Sequence, residues 1–373
     1  MYRGILGGIV SLLLVLACGP AAPPAPAGGG GAPAGSGSAL LSDAAYRQQV
    51  IEGARAEGMV NATLHTSWTP EGIQRLEEAI EREYGVRLRI NFTPIGNYAQ
   101  RAGELLSEVA ANATPSFDLY QCSDTTAALM QQAGALEAVN WKPLLPEGTP
   151  PDVVAGNGEQ VVIFTDYFGL MSDPAVVPES EVPRSIKDLA NPRWRGRVIL
   201  FVTGTSYLPW VIRMGREETF AALRAAVQNG AAVDTYPNQL TRFAAKEYPL
   251  SLTGFTFYNV AQVRGIPARF TPLDFISVGN HYVAVVRRAA HPNAAKLLAA
   301  VLAGPEGQRI SAEVLGNGNR YYPDSREQKL EQEWLAAGFP LFSWREHPDA
   351  LAWSLSPEGE ATVREIDQIL KGG

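Results

Sequence analysis

The sequence is poor in cysteine and histidine and carries no surplus of positive charge. Its 373 residues contain two cysteines, Cys18 and Cys122, which excludes a disulfide framework and a thiolate-bound zinc site. The four histidines, at 65, 281, 291 and 347, form no HExxH pair, and no CxxC occurs. Thirty-one Lys and Arg stand against 38 Asp and Glu, a formal charge of −7, so a basic groove for nucleic acid is excluded. No nucleophile elbow is present in the body. Gly35-Ser36-Gly37 lies in a low-complexity stretch, and Gly204-Thr205-Ser206-Tyr207-Leu208 lacks the glycine that should follow the serine.

What is present begins with an export signal. Arg3 is followed by the apolar run Ile5–Leu16, too short for a permanent membrane span, and Ala17 supplies a small residue before Cys18. Val15-Leu16-Ala17-Cys18 resembles the bacterial lipobox, which implies cleavage after residue 17 and a diacylglycerol on Cys18. Residues 19–38 consist only of seven Gly, five Pro, six Ala and two Ser, a composition that cannot build a core. Residues 18–39 are therefore expected to tether a globular body to the outer side of the cytoplasmic membrane.

The body alternates strand-like and helical segments. Met59–His65 is a strand, and Thr69-Pro70-Glu71 opens a helix that runs to Tyr84 and stops at Gly85. Further strands are expected at 86–92, 117–121, 161–164, 168–171, 198–202, 250–257, 276–277 and 282–286, with helices between them, an α/β order with a mostly parallel sheet. Three segments end a strand and open a helix with small polar residues: Ser67-Trp68-Thr69, Cys122-Ser123-Asp124, and Thr203-Gly204-Thr205-Ser206-Tyr207. Strand ends of this kind line ligand crevices, although helix capping selects the same residue types. Trp68, Tyr167, Tyr207 and Tyr258 are candidate stacking residues, and core packing is the competing reading. Asp124 and Asp166 beside rings suit an amine, whereas Ser and Thr at helix starts suit an anion. Cys122 at a helix start is either an activated thiol or an inert buried one.

Four passages resemble the extracellular solute-binding proteins of ABC importers with the type 2 periplasmic-binding fold, near the ferric-iron and polyamine branch. They are Phe117-Asp118-Leu119-Tyr120 with the later Gly134-Ala135-Leu136, the run from Asp188-Leu189 through Pro192, Trp194 and Gly196 to Val198, His291-Pro292-Asn293-Ala294-Ala295-Lys296, and Gly304-Pro305-Glu306-Gly307-Gln308. The resemblance implies a monomeric, non-enzymatic, two-lobed (Venus-flytrap) receptor without cofactor. It implies that solute is held in the interlobe cleft and passed to a membrane permease driven by an ATPase subunit. Residues 40–165 are expected to form the first part of lobe 1, 166–272 lobe 2, and 273–373 a return to lobe 1. Iron-binding relatives hold the metal with adjacent tyrosines. The corresponding position here reads Phe257-Tyr258, which leaves Tyr258 as the one phenol and favours a small polar organic solute, with ferric iron as the alternative. A Cys122-dependent enzyme on this fold and a sensor subunit presenting solute to a membrane kinase are the rivals.

Overall fold

A computed structural model of the chain describes residues 41–372. The export signal, Cys18 and the tether lie outside the described residues. Eleven strands occur among those described: β1 Met59–His65, β2 Arg89–Ile95, β3 Leu119–Ser123, β4 Val154–Ala155, β5 Gln160–Ser172, β6 Val198–Phe201, β7 Ala232–Asp234, β8 Leu250–Gly254, β9 Arg269–Thr271, β10 Ile276–Val285 and β11 Leu341–Ser343. They form one sheet in the order β2-β1-β3-β10-β5-β8-β6-β7, with β4 and β9 on β5 and β11 on β10. The flanks are parallel, β1 with β2 and β3, and β6 with β7 and β8. The centre is antiparallel, since β5 pairs with β10 and each pairs antiparallel with its outer neighbour.

Helices flank the sheet where the sequence supplies caps. Thr69 accepts a hydrogen bond from the Gly72 N–H, Pro70 fills the first position, and Gly85 stops the helix at φ 65°. β1 buries both faces: Val60, Ala62, Thr63 and Leu64 are all fully buried, as a strand covered from two sides requires.

Two large hydrophobic cores share this sheet. The first gathers residues from Val50 to Phe164 and then Tyr282 to Leu315. The second runs from Leu170 to Phe275 and then takes Phe342, Trp344, Ile366, Ile369 and Leu370. The last helix packs with the second core, since the apolar face of Pro357–Leu370 covers the helix Arg216–Gln228 and the turn at Gly204, while the helix Pro348–Ser354 also reaches the helix Asp124–Gln132 of the first. β5 and β10 are the connection between the cores.

Both crossing strands differ from their sequence reading. β5 is continuous through Thr165-Asp166-Tyr167, and β10 through Val278-Gly279-Asn280-His281, where two broken strands are expected in each case. The polar residues that read as loop are paired across the ladder, with Asp166 opposite Gly279 and Phe164 opposite His281. The segment 250–257 also divides: the strand ends at Gly254 and Phe255 begins a helix. A short helix at Tyr236–Ala244, opened by Thr235 and Pro237, escapes the periodicity reading altogether.

Candidate functional site

The polar middle of the crossing strands forms the wall of a cavity of about 170 Å³ at the seam of the two cores. Ser123, Asp124 and Thr125 enter it from the start of the helix Asp124–Gln132. Asp166, Tyr167 and Phe168 come from β5, and Ser277, Val278, Gly279, Asn280 and His281 from β10. Thr205, Ser206, Pro209, Tyr236 and Trp344 complete it. Among these lining residues there is no lysine and no arginine.

Asp166 is the most exposed of the acidic groups to this space. Its Oδ1 accepts the Tyr167 and Thr256 N–H groups, at 3.0 and 2.9 Å. Oδ2 is turned the other way, 3.9 Å from His281 Nε2 and 2.9 Å from where a Cβ on Gly254 would lie. Asp124 is more fully used: Oδ2 accepts the Asn280 N–H at 2.8 Å and Oδ1 the Tyr282 hydroxyl at 2.7 Å. Burial pushes both carboxyls up to about 6, against the pull of those hydrogen bonds. The Asn280 side-chain amide, 1% exposed, lies beside Asp124 and Tyr282 yet makes no hydrogen bond among the described residues. Leaving such a group unpaired costs about 1–3 kcal/mol, a cost that a bound polar solute would offset.

Tyr236 supplies the phenol. Its ring is the centre of a stack, 3.5 Å from the Phe201 centroid and 4.5 Å from Phe257. Burial and the nearby Asp166 carboxylate hold its hydroxyl well above the usual range, with the Ser206 hydroxyl beside it. His281 is stacked on Phe164 at 4.2 Å, and burial pushes its imidazole down to about 3, so it is neutral.

Of the residues expected at the site, Ser123, Asp124, Asp166, Tyr167, Thr205 and Ser206 meet around this cavity. Ser67, Trp68 and Thr69 do not. Trp68 is 4% exposed in the first core and packs on Gly72; Ser67 donates its N–H to His65 Nδ1; Thr69 is the helix cap. Thr69→Ala is accordingly expected to lower stability by about 1 kcal/mol in denaturant titration and to leave solute affinity unchanged. Thr203 lies off the cavity as well. The Gly204 N–H is already taken by Asp367 Oδ1 at 2.8 Å, which removes the free donor an anion would need. Tyr207 is fully buried and donates to the Phe201 carbonyl. Tyr258 is stacked on Phe255 away from the cavity. Of the two tyrosines lining the cavity, Tyr167 has its hydroxyl bonded to Glu327 and Glu331, which leaves the Tyr236 phenol for a ligand. Cys122 is fully buried and donates to the Tyr282 carbonyl, and burial pushes its thiol up, which excludes an activated thiolate.

Sequence reasoning misses Tyr236, Asn280 and His281. Thr235-Tyr236-Pro237 carries a helix-start signal, and Gly279-Asn280-His281 is a polar break between two apolar halves of one strand. Among the described residues no three His, Cys, Asp or Glu side chains gather as a metal-binding group, and no helix is long and apolar enough to cross a membrane.

A family model for bacterial extracellular solute-binding proteins matches residues 72–313. The major ferric iron-binding protein of Neisseria gonorrhoeae is 22% identical over 279 residues, covering 70% of this chain and 81% of that protein. Among solved structures, iron-bound HitA from Pseudomonas aeruginosa aligns with a TM-score of 0.63 at 17% identity, covering 83% of this chain and 99% of that one. The substrate-binding protein of an ABC transporter from Agrobacterium tumefaciens aligns with a TM-score of 0.67 at 13% identity, covering 84% and 94%. The relatives are binding proteins, not enzymes. With its two cores, its crossing strands and a matched region of this extent, the chain belongs to the bacterial extracellular solute-binding proteins, the two-lobed receptors of ABC importers.

Proposed function

We propose that this receptor captures a cationic solute at the seam between its two cores, with ferric iron as the first candidate, and delivers it to a membrane permease. The observation that carries the charge assignment is the pairing of two carboxyl groups, the buried Asp124 and the partly exposed Asp166, with a cavity wall free of Lys and Arg. An anionic solute would meet repulsion there, whereas a cation supplies the charge these groups lack. Iron enters through the similar proteins, one named for ferric iron binding and one solved with iron bound. Asp166 Oδ2 and the Tyr236 phenolate are the hard oxygen donors the cavity offers such an ion. The cation would displace the proton that Tyr236 otherwise holds.

A small organic cation is the second reading, favoured by the two carboxyl groups with the Ser123, Thr205 and Ser206 hydroxyls around them, acceptors suited to ammonium N–H donors. In either case the solute must bind the closed form more tightly than the open one, since only differential affinity shifts that population. The lobes we assign are 41–164 with 282–322, and 167–275 with 334–370. A diacylglycerol on Cys18 and the tether behind it would keep this body at the membrane.

Titration with ferric nitrilotriacetate separates the readings. Iron on Tyr236 is expected to produce a visible phenolate-to-iron absorption band that Tyr236→Phe removes. A colourless protein whose thermal midpoint rises with an organic amine supports the second reading. No response to any cation overturns both.

A further inference from the structure

His281 faces the cavity with one ring nitrogen, and a chain of buried groups behind it fixes which nitrogen carries the proton. The chain starts at the His65 backbone N–H, which can only donate, and it donates to Gln121 Oε1 at 2.8 Å. This orients the Gln121 amide, so its Nε2 is the donor to the Tyr98 hydroxyl at 2.7 Å. Tyr98 has then accepted, and its own proton needs an acceptor. Among the described hydrogen bonds, that acceptor is His281 Nδ1 at 3.1 Å. Tyr98 and His281 are held by more than this chain: the Tyr98 carbonyl accepts the Tyr120 hydroxyl, and the imidazole is clamped on Phe164. Burial keeps the phenol of Tyr98 protonated and the imidazole neutral.

We propose that Gln121 and Tyr98 are positioning residues that lock His281 in the Nε2–H tautomer, so that it meets the cavity as a hydrogen-bond donor and not as a metal-seeking lone pair. The nearest acceptor it faces is Asp166 Oδ2, 3.9 Å from Nε2. Both residues are carried on the paired strands β5 and β10, and a small side-chain rotation would bring them into hydrogen-bonding range, where the N–H holds that carboxylate ionised and aimed at the cargo. The consequence for binding rests on the cation reading above; the tautomer does not.

The two parts are tested separately. Long-range 1H–15N correlation spectra of the ligand-free, full-length protein are expected to show a pyridine-like Nδ1 and a pyrrole-like Nε2 for His281, and Tyr98→Phe is expected to mix the tautomers. A pyrrole-like Nδ1 in the wild type overturns the proposal without recourse to any variant. For binding, the probe is ferric nitrilotriacetate. His281→Ala is expected to weaken affinity about tenfold, the worth of one hydrogen bond to a charged group. His281→Gln, whose amide N–H reaches the Nε2 position, is expected to recover most of that loss. Equal losses of a hundredfold or more in both variants would identify a ligating lone pair and overturn the donor role. A wild-type protein that binds no ferric ion refutes the cation reading, and the ligand-free spectrum still decides the tautomer.

Discussion

Replacing Asp166 by Asn is expected to abolish cation binding and, at neutral pH, to make the empty protein more stable. The asparagine keeps an oxygen for the Tyr167 and Thr256 N–H groups but removes the charge from Oδ2. Affinity should fall a hundredfold or more, about 3 kcal/mol by the conversion of binding constants. The stability gain follows from linkage. Folding raises the Asp124 and Asp166 carboxyls from 3.8 to about 6. Between those values the folded state holds more protons than the unfolded one. The stability these groups contribute is therefore fully present below about pH 4 and is lost as pH rises through about 6. At roughly 1.4 kcal/mol per pKa unit, each ionised carboxylate costs about 2–3 kcal/mol at pH 7. Calorimetric unfolding of the empty protein should show a midpoint that falls between pH 4 and 7, flatter in Asp166→Asn. Saturating cation should abolish the fall in the wild type. A midpoint that rises over this range would contradict the burial of these charges.

Gly254→Ala is the second large effect, and it tests where the cargo sits. Gly254 has φ −75° and ψ 147°, a conformation open to alanine. The added methyl would lie 2.9 Å from Asp166 Oδ2 and 3.5 Å from the Tyr236 hydroxyl, inside the space the cation needs. We expect binding to fall at least tenfold. Folding should be nearly unaffected, because the less flexible unfolded chain offsets part of the crowding. Gly103→Ala is the control. It lies in the helix Tyr98–Ala110, off the cavity, where a methyl meets nothing within 4 Å, and affinity should change less than threefold. Unchanged affinity in Gly254→Ala as well would place the cargo away from Asp166 Oδ2.

Much of this site is legible in the sequence, and the part that is not has a physical reason. Ser123 and Asp124 are readable because a polar pair follows a buried strand and starts a helix. Asp166 is readable because a charge beside an aromatic ring interrupts an apolar run. The same logic selects Thr69 and Gly204, which lie off this cavity. Capping and ligand binding use the same side chains, and only the fold reveals that Gly72 and Asp367 already occupy those donors and acceptors. His281 is missed because alternation of apolar and polar residues is the usual mark of a strand. A strand that passes between two cores must change from apolar to polar and back, which periodicity reads as two strands and a loop. The fold class follows from the order of elements. The placement of the last 40 residues does not, since an amphipathic helix such as Pro357–Leu370 records that it has an apolar face and not which core will cover it.

The chain visits the first core, the second, the first and the second again, and this order governs when each can be finished during synthesis. Nothing made before Leu315 completes the first core, and the second lacks its cover until Ile366, Ile369 and Leu370 have been added. A nascent chain of this receptor therefore holds no closed domain while most of it is being translated. The second core, not the first, sets the moment at which the receptor is finished, because its cover is the last stretch of the chain to be made.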